Sequence, residues 1–130
     1  MISLVSAACL TLNVYFEAGN QSVEGMRLVA EVVINRVNHY NWPNDVCGVV
    51  FDHRQFSWAN GLEAKTYRPK LDNEIEERAY NQASEVAVDV LENGCKICNN
   101  ATHYHHFSIR PYWAVGRVKI GRIGDHIFYK

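Results

Sequence analysis

Six apolar residues, Met26, Val29, Ala30, Val33, Ile34 and Val37, recur at three-and-four spacing and end before the turn residues Asn41-Trp42-Pro43-Asn44. That period is helical, and it commits one side of the helix to a core. Ser22 suits the N-cap, Glu24 falls in the first turn where the helix dipole favours an acid, and the helix ends near His39-Tyr40. Two more helices are expected. Ser3 to Ala18 places Leu4, Ala8, Leu12, Tyr15 and Phe16 near one stripe, and Leu71 to Glu92 does so with Leu71, Ile75, Ala79, Val86, Val90 and Leu91. Gly19-Asn20 and Asn93-Gly94 supply their stops. Asp45 to Val50 suits one or two helical turns, while Phe51 to Arg68 has neither period and reads as a loop. Ala101 to Phe107 and Lys119 to Tyr129 are rich in aromatic and β-branched residues between glycines, as in short strands. Helices first and a small β portion at the C-terminal end predict an α+β fold.

A chain of 130 residues with 48% hydrophobic content suits a single domain, residues 1–130, with one core. The net charge of -1 argues against a nucleic-acid partner and against a strongly cationic face for anionic membranes. The apolar stretch Ile2 to Leu12 lacks the basic start of a secretion signal and is too short to span a bilayer, so no membrane insertion is expected. Cys9, Cys47, Cys95 and Cys98 permit three disulfide connectivities or none. A chain this long does not need staples, and the expectation is free thiols. Glu74, Glu76, Glu77 and Arg78 read as a solvated helix face, and Arg27 with Glu31 as an i,i+4 pair.

Chemistry concentrates in three places. Glu17 closes the first helix after the apolar and aromatic run Val14-Tyr15-Phe16. The negative end of the helix dipole and the exclusion of water both disfavour its anion, so it is a candidate general acid. Gln55, Phe56, Ser57 and Trp58 combine hydrogen-bonding groups with flat apolar faces, as a sugar ring requires. Thr102, His103, Tyr104 and His105 lie in the first strand segment, where His103 and His105 share one face and Tyr104 and His106 the other. Cys95-x-x-Cys98 followed by these histidines has a competing reading as a zinc site, although the histidine spacing differs from that of small zinc modules. The preferred reading has no metal and no cofactor.

Taken in order, Tyr15-Phe16-Glu17-Ala18, Glu24-Gly25, Val32 to Val37, Trp42 to Val50, Gln55 to Trp58, Ala101 to His105 and Ile123 to Tyr129 resemble the SleB-type cell wall hydrolases. These are the spore cortex lytic enzymes and their phage and bacterial relatives. The resemblance implies a lysozyme-like fold and a peptidoglycan hydrolase related to lytic transglycosylases. It makes Glu17 the catalytic acid at the β-1,4 bond between N-acetylmuramic acid and N-acetylglucosamine, with Gln55 to Trp58 and Thr102 to His105 lining the glycan groove. The turn Gly19-Asn20-Gln21-Ser22 and the Cys95/Cys98 pair depart from the family pattern.

Hydrolysis of the usual kind needs a second carboxylate ~5–9 Å from the acid, for which Glu24 and Asp125 are the candidates. Neither has a setting as apolar as that of Glu17. This favours transglycosylation, in which the sugar's own 6-hydroxyl attacks and one glutamate suffices. The alternatives are a muramidase-type hydrolase, a zinc-dependent enzyme, and a non-catalytic module in which Trp58, Tyr104 and Trp113 stack on sugars. A monomer is expected. A phage endolysin waiting in the host cytoplasm and a secreted bacterial wall enzyme are both compatible with these residues.

Overall fold

A computed structural model describes residues 3–52, 56–59 and 68–130. Its elements are α1 (Leu4–Ala18), α2 (Val23–Val37), α3 (Val46–Val50), α4 (Glu74–Asn93), β1 (His103–His106), β2 (Lys119–Ile123) and β3 (His126–Tyr129). Short 3-10 turns occupy Ser57–Ala59 and Tyr112–Ala114. The expected α+β architecture, mainly helical with a small C-terminal sheet, is the observed one.

Side-chain caps start each long helix. The Ser3, Ser22 and Asn73 side chains accept from the backbone N–H groups of Ser6, Gly25 and Glu76, satisfying donors that the helix itself leaves open. Asp45 does the same for α3 through Gly48. Glu74, Glu76 and Glu77 crowd the first turn of α4, where the dipole favours them.

Helix α1 runs through the middle, against α2, α3 and α4. Its second half is buried almost all round, from Cys9 to Val14 and at Ala18, while Leu4 is 86% exposed and Ala8 is also exposed. The expected stripe through Leu4 and Ala8 is therefore wrong. The first turns project past the other helices, and the surrounded half has no dry-versus-wet contrast for a stripe to follow. Ile75 is likewise 79% exposed, because α4 meets the core further along, at Ala83, Val86, Ala87 and Val90. In α2, Met26, Val29, Ala30 and Val33 are buried as expected, and Ile34 and Val37 pack against the same core.

The cysteines are paired, not free. Cys9–Cys47 ties α1 to α3 with a Cα–Cα distance of 5.3 Å, and Cys95–Cys98 closes a short loop after α4 at 5.2 Å. The length of the chain makes disulfides unnecessary but does not prevent them. The first bridge spans a sequence separation of 38, and a closed loop of that size restricts the unfolded chain by about 4 kcal/mol. Replacing both Cys9 and Cys47 by alanine is expected to lower the urea midpoint by that amount divided by the m-value, measured without reductant.

Glu31 also departs from expectation. It does not pair with Arg27, which binds Asp89 on α4. Glu31 is 1% exposed and accepts from the backbone N–H groups of Lys96, Ile97 and Cys98 at 3.0, 3.3 and 3.0 Å. Further on, the Asn35 amide donates to the Ala101 carbonyl (2.7 Å), and Arg36 Nε donates to the Thr102 carbonyl (2.8 Å). Helix α2 thus fixes the whole run leading into β1.

The sheet is antiparallel in the order β1-β3-β2, with Tyr104 opposite Phe128 and His105 opposite Ile127. Phe128 is buried in the helical core, so Tyr104 also faces the helices. The turn from β2 to β3 passes through Gly124 at φ +57, where a Cβ would clash with Gln21 Oε1. Gln21 clamps that turn: its Oε1 accepts from the Asp125 N–H and its Nε2 donates to the Asp125 carboxylate, both at 3.0 Å.

Candidate active site

Tyr104 and Glu17 meet across 87 residues of sequence, with the phenol donating to Glu17 Oε1 at 2.6 Å. One turn earlier on α1, on the same face, sits Asn13, fully buried. Its Oδ1 accepts from Trp58 Nε1 at 3.0 Å, and its amide side favours the ionised form of the Tyr104 phenol. Trp58 stacks on Phe16 at 4.9 Å, and Phe56 lies 6.5 Å from the Tyr104 ring. Two sequence-predicted segments therefore converge on the end of α1.

Arg36 completes the surroundings. Its guanidinium lies 5.1 Å from the Phe56 ring and 5.3 Å from the Trp42 ring. Burial is the largest influence on Glu17 and raises its pKa, while the Tyr104 hydrogen bond and the Arg36 charge pull it partly back. The Tyr104 phenol is pushed well above its ordinary value by burial and by the neighbouring Glu17, so it remains a donor. The result is a carboxyl held toward its protonated form, with one oxygen fixed by a phenol. Such a group suits proton donation to a leaving oxygen and recovery of a proton afterwards.

The other expected site residues separate. Phe56 is buried and Trp58 half-buried at the site. Gln55 lies outside the described residues, and of Ser57 only its place in the short turn is described. Thr102 gives its carbonyl to Arg36, and its hydroxyl lies 3.0 Å from His103 Nδ1. His103 packs between Trp42 and Trp113 at 5.6 and 5.2 Å. Burial first, then the nearby Arg117, Arg36 and His39, push its pKa down to about 4. His105 is buried on the far face of β1 from Tyr104. Its Nδ1 lies 2.7 Å from the His106 carbonyl, which only accepts, so Nδ1 carries the proton and Nε2 accepts from the Tyr129 hydroxyl at 2.8 Å. The alternation expected along β1 holds.

Cys95 and Cys98 are bonded to each other and present no thiolate to a metal, and the described residues contain no group of three potential ligands. Asp125 is engaged by Gln21, and Glu24 borders a separate cavity of about 220 Å³ beside Leu28 and Phe128. A larger cleft of about 450 Å³ opens between the ends of α1 and α4, lined by Tyr15, Phe16, Gly19, Ile75, Glu76 and Ala79, on the side of α1 away from Tyr104. Asn13 and Arg36 were not singled out from sequence. The available signal was an amide one turn before Glu17 inside an apolar run, and a cation on the buried side of α2.

A sequence model of the Cell Wall Hydrolase family matches residues 20–129, beginning just after Glu17. The chain is 32% identical over 116 residues to the spore cortex-lytic enzyme of Bacillus subtilis strain 168, covering 88% of this chain and 34% of that protein. It is 32% identical over 118 residues to the spore cortex-lytic enzyme of Oceanobacillus iheyensis, covering 90% of this chain and 38% of that protein. The chain thus spans roughly a third of the length of the curated relatives it matches. Among solved structures, the catalytic domain of the Bacillus cereus SleB protein superposes with a TM-score of 0.77 at 29% identity, covering 100% of this chain and 93% of that one. The catalytic domain of the germination-specific lytic transglycosylase SleB from Bacillus anthracis gives the same TM-score and identity, covering 99% and 97%. By fold, by motif order and by direct sequence match, the chain belongs to the SleB-type cell wall hydrolase family.

Proposed function

We propose that residues 1–130 act as one catalytic domain that cuts peptidoglycan glycan strands at the β-1,4 bond between N-acetylmuramic acid and N-acetylglucosamine, as a lytic transglycosylase. The observation that carries this reading is the Glu17–Tyr104 pair: a carboxyl with a raised pKa, oriented by a phenol at 2.6 Å. Its relationship to spore cortex-lytic enzymes supports peptidoglycan as the substrate.

In this mechanism Glu17 gives its proton to the glycosidic oxygen, and the bond from that oxygen to muramic C1 breaks. Positive charge develops on the muramic ring. The 6-hydroxyl of the same sugar attacks C1 and loses its proton to the Glu17 carboxylate, leaving a 1,6-anhydro end and a regenerated acid. Tyr104 holds the carboxyl orientation through both steps. Phe16, Trp58, Ser57, Gln55 and Thr102 hold the sugar chain, the buried Phe56 packs beside Tyr104 and Arg36, and His103 and His105 support β1 from behind. The mechanism draws on no metal and no cofactor, and a monomer suffices. The enzyme works at the cell wall or cortex. The relatives are bacterial spore enzymes, which give the phage alternative no support. No described helix is long and apolar enough to cross a membrane.

Product analysis tests the reaction. Mass analysis of fragments from purified sacculi is expected to show anhydromuramic ends, lighter by one water than reducing ends. Reducing ends alone would make the enzyme a hydrolase and return Glu24 and Asp125 to consideration as the second carboxylate. Sacculi that bind the protein but release no fragments would leave only the glycan-binding module.

A further inference from the structure

The weak net charge of the chain hides a strong local asymmetry. From Phe107 to Gly124 there are four cations, Arg110, Arg117, Lys119 and Arg122, and no acid. The whole chain carries -1, so the remainder carries -5. The same stretch exposes large apolar side chains: Tyr112 is 90% exposed, Val115 86%, and Ile109 and Phe107 about half.

The sheet register and the cleft lining bring Arg110, Lys119, Arg122 and the apolar groups to one side. Ile127 and Tyr129 line an open cleft of about 410 Å³ together with Phe107, Ile109, Tyr112 and Val115. Arg122 stands opposite Ile127, and Lys119 opposite Tyr129. Paired residues share a face, so both cations stand on the cleft side. The Arg122 guanidinium lies 4.1 Å from the Phe107 ring, and Arg110 also borders the cleft. Tyr104, the partner of Glu17, points to the opposite face of the sheet.

We propose that this outer face, built from the 107–118 loop and the adjoining strands, docks onto the surface of an anionic phospholipid membrane. An exposed apolar patch rimmed by cations marks an interaction surface. The chemistry selects the partner. Exposed valine and isoleucine offer a sugar neither a flat face nor a hydrogen bond, whereas they enter the boundary between headgroups and acyl chains readily. Tyrosine suits the same boundary, and the three cations Arg110, Lys119 and Arg122 complement its negative potential. Docking there leaves Tyr104 and Glu17 free on the other side of the sheet. This goes beyond the proposed reaction and does not depend on it.

Co-sedimentation tests it, with vesicles of phosphatidylcholine alone and of phosphatidylcholine with phosphatidylglycerol in equal parts. Binding is expected to be about a hundred-fold tighter to the anionic vesicles, and weakened by salt. Arg110→Glu with Lys119→Glu is expected to weaken it at least about thirty-fold. Val115→Asp weakens it as well, and thermal melts that match the parent show that both variants fold. Glu17→Gln retains full vesicle binding, so failure of the lytic reading and failure of this one are separable. Equal binding to both vesicle types, no binding, or binding indifferent to these substitutions overturns the proposal. So does finding that the same substitutions loosen attachment to lipid-free sacculi, or split a dimer in the absence of vesicles, because the face then belongs to a glycan or to a second copy.

Discussion

Glu17→Gln is expected to leave the fold intact and to slow lysis of purified cell walls roughly a thousand-fold, the scale of a lost general acid. Glutamine keeps the shape and one oxygen, so Tyr104 still has an acceptor, but it has no proton to give. The pH dependence follows from the same burial. The Glu17 pKa is raised above its ordinary 4.5. Below its folded value the acid is loaded, and kcat/KM falls as the pH climbs through that value. Stability has the same sign. The folded state prefers protonated Glu17, so that contribution is fully present below 4.5 and is lost as pH rises through the folded pKa. The Glu17→Gln protein should therefore melt higher than the parent at neutral pH, with the difference closing toward acid. Near-parental lysis by this variant would end the assignment. A lower melting point at neutral pH would show that the carboxylate is a structural partner and not a strained acid.

What was legible before the fold was what local chemistry decides. Ser22 and the stripe through Met26, Val29, Ala30 and Val33 define α2, because a cap and a periodic face are both short-range. The alternation along β1 separates Tyr104 from His103 and His105 for the same reason. Tertiary choices were not legible. Nothing near Cys9 names Cys47 as its partner. The Arg27–Glu31 spacing is right for an ion pair, yet each residue has a tertiary partner, Arg27 on α4 and Glu31 some 65 residues along the chain. The site divides in the same way. An acid after an aromatic run can be picked out as perturbed, but the contact with Tyr104 that orients it depends on packing. Asn13 lies between these cases: its one-turn offset from Glu17 is visible in the sequence, and its bond to Trp58 is not.

Glu31→Ala is expected to cost about 4 kcal/mol of stability, measured as a fall in the urea midpoint. A buried carboxylate accepting three N–H groups makes charge-assisted bonds worth about 1.5–3 kcal/mol each, and the lower end applies here because the bonds are only partly buried. The loss should reach the candidate active site as well. The loop that Glu31 holds leads directly to the Ala101 and Thr102 carbonyls, and Thr102 is the acceptor that fixes Arg36 beside Phe56. A looser loop leaves Arg36 less well placed, so kcat should fall even at temperatures where the variant is fully folded. The Cys95–Cys98 bridge closes the same segment, across a sequence separation of 3, and by loop size alone it contributes about 2 kcal/mol. Two devices holding one loop are not independent. Once Glu31 is gone, the bridge carries ordering that the carboxylate otherwise supplies. In a double-mutant cycle, replacing Cys95 and Cys98 by alanine should therefore cost more in the Glu31→Ala background than in the parent, by at least about 0.5 kcal/mol. Additive losses would mean that Glu31 and the bridge stabilise different parts of the molecule, and the link from the loop to Arg36 would fail with them.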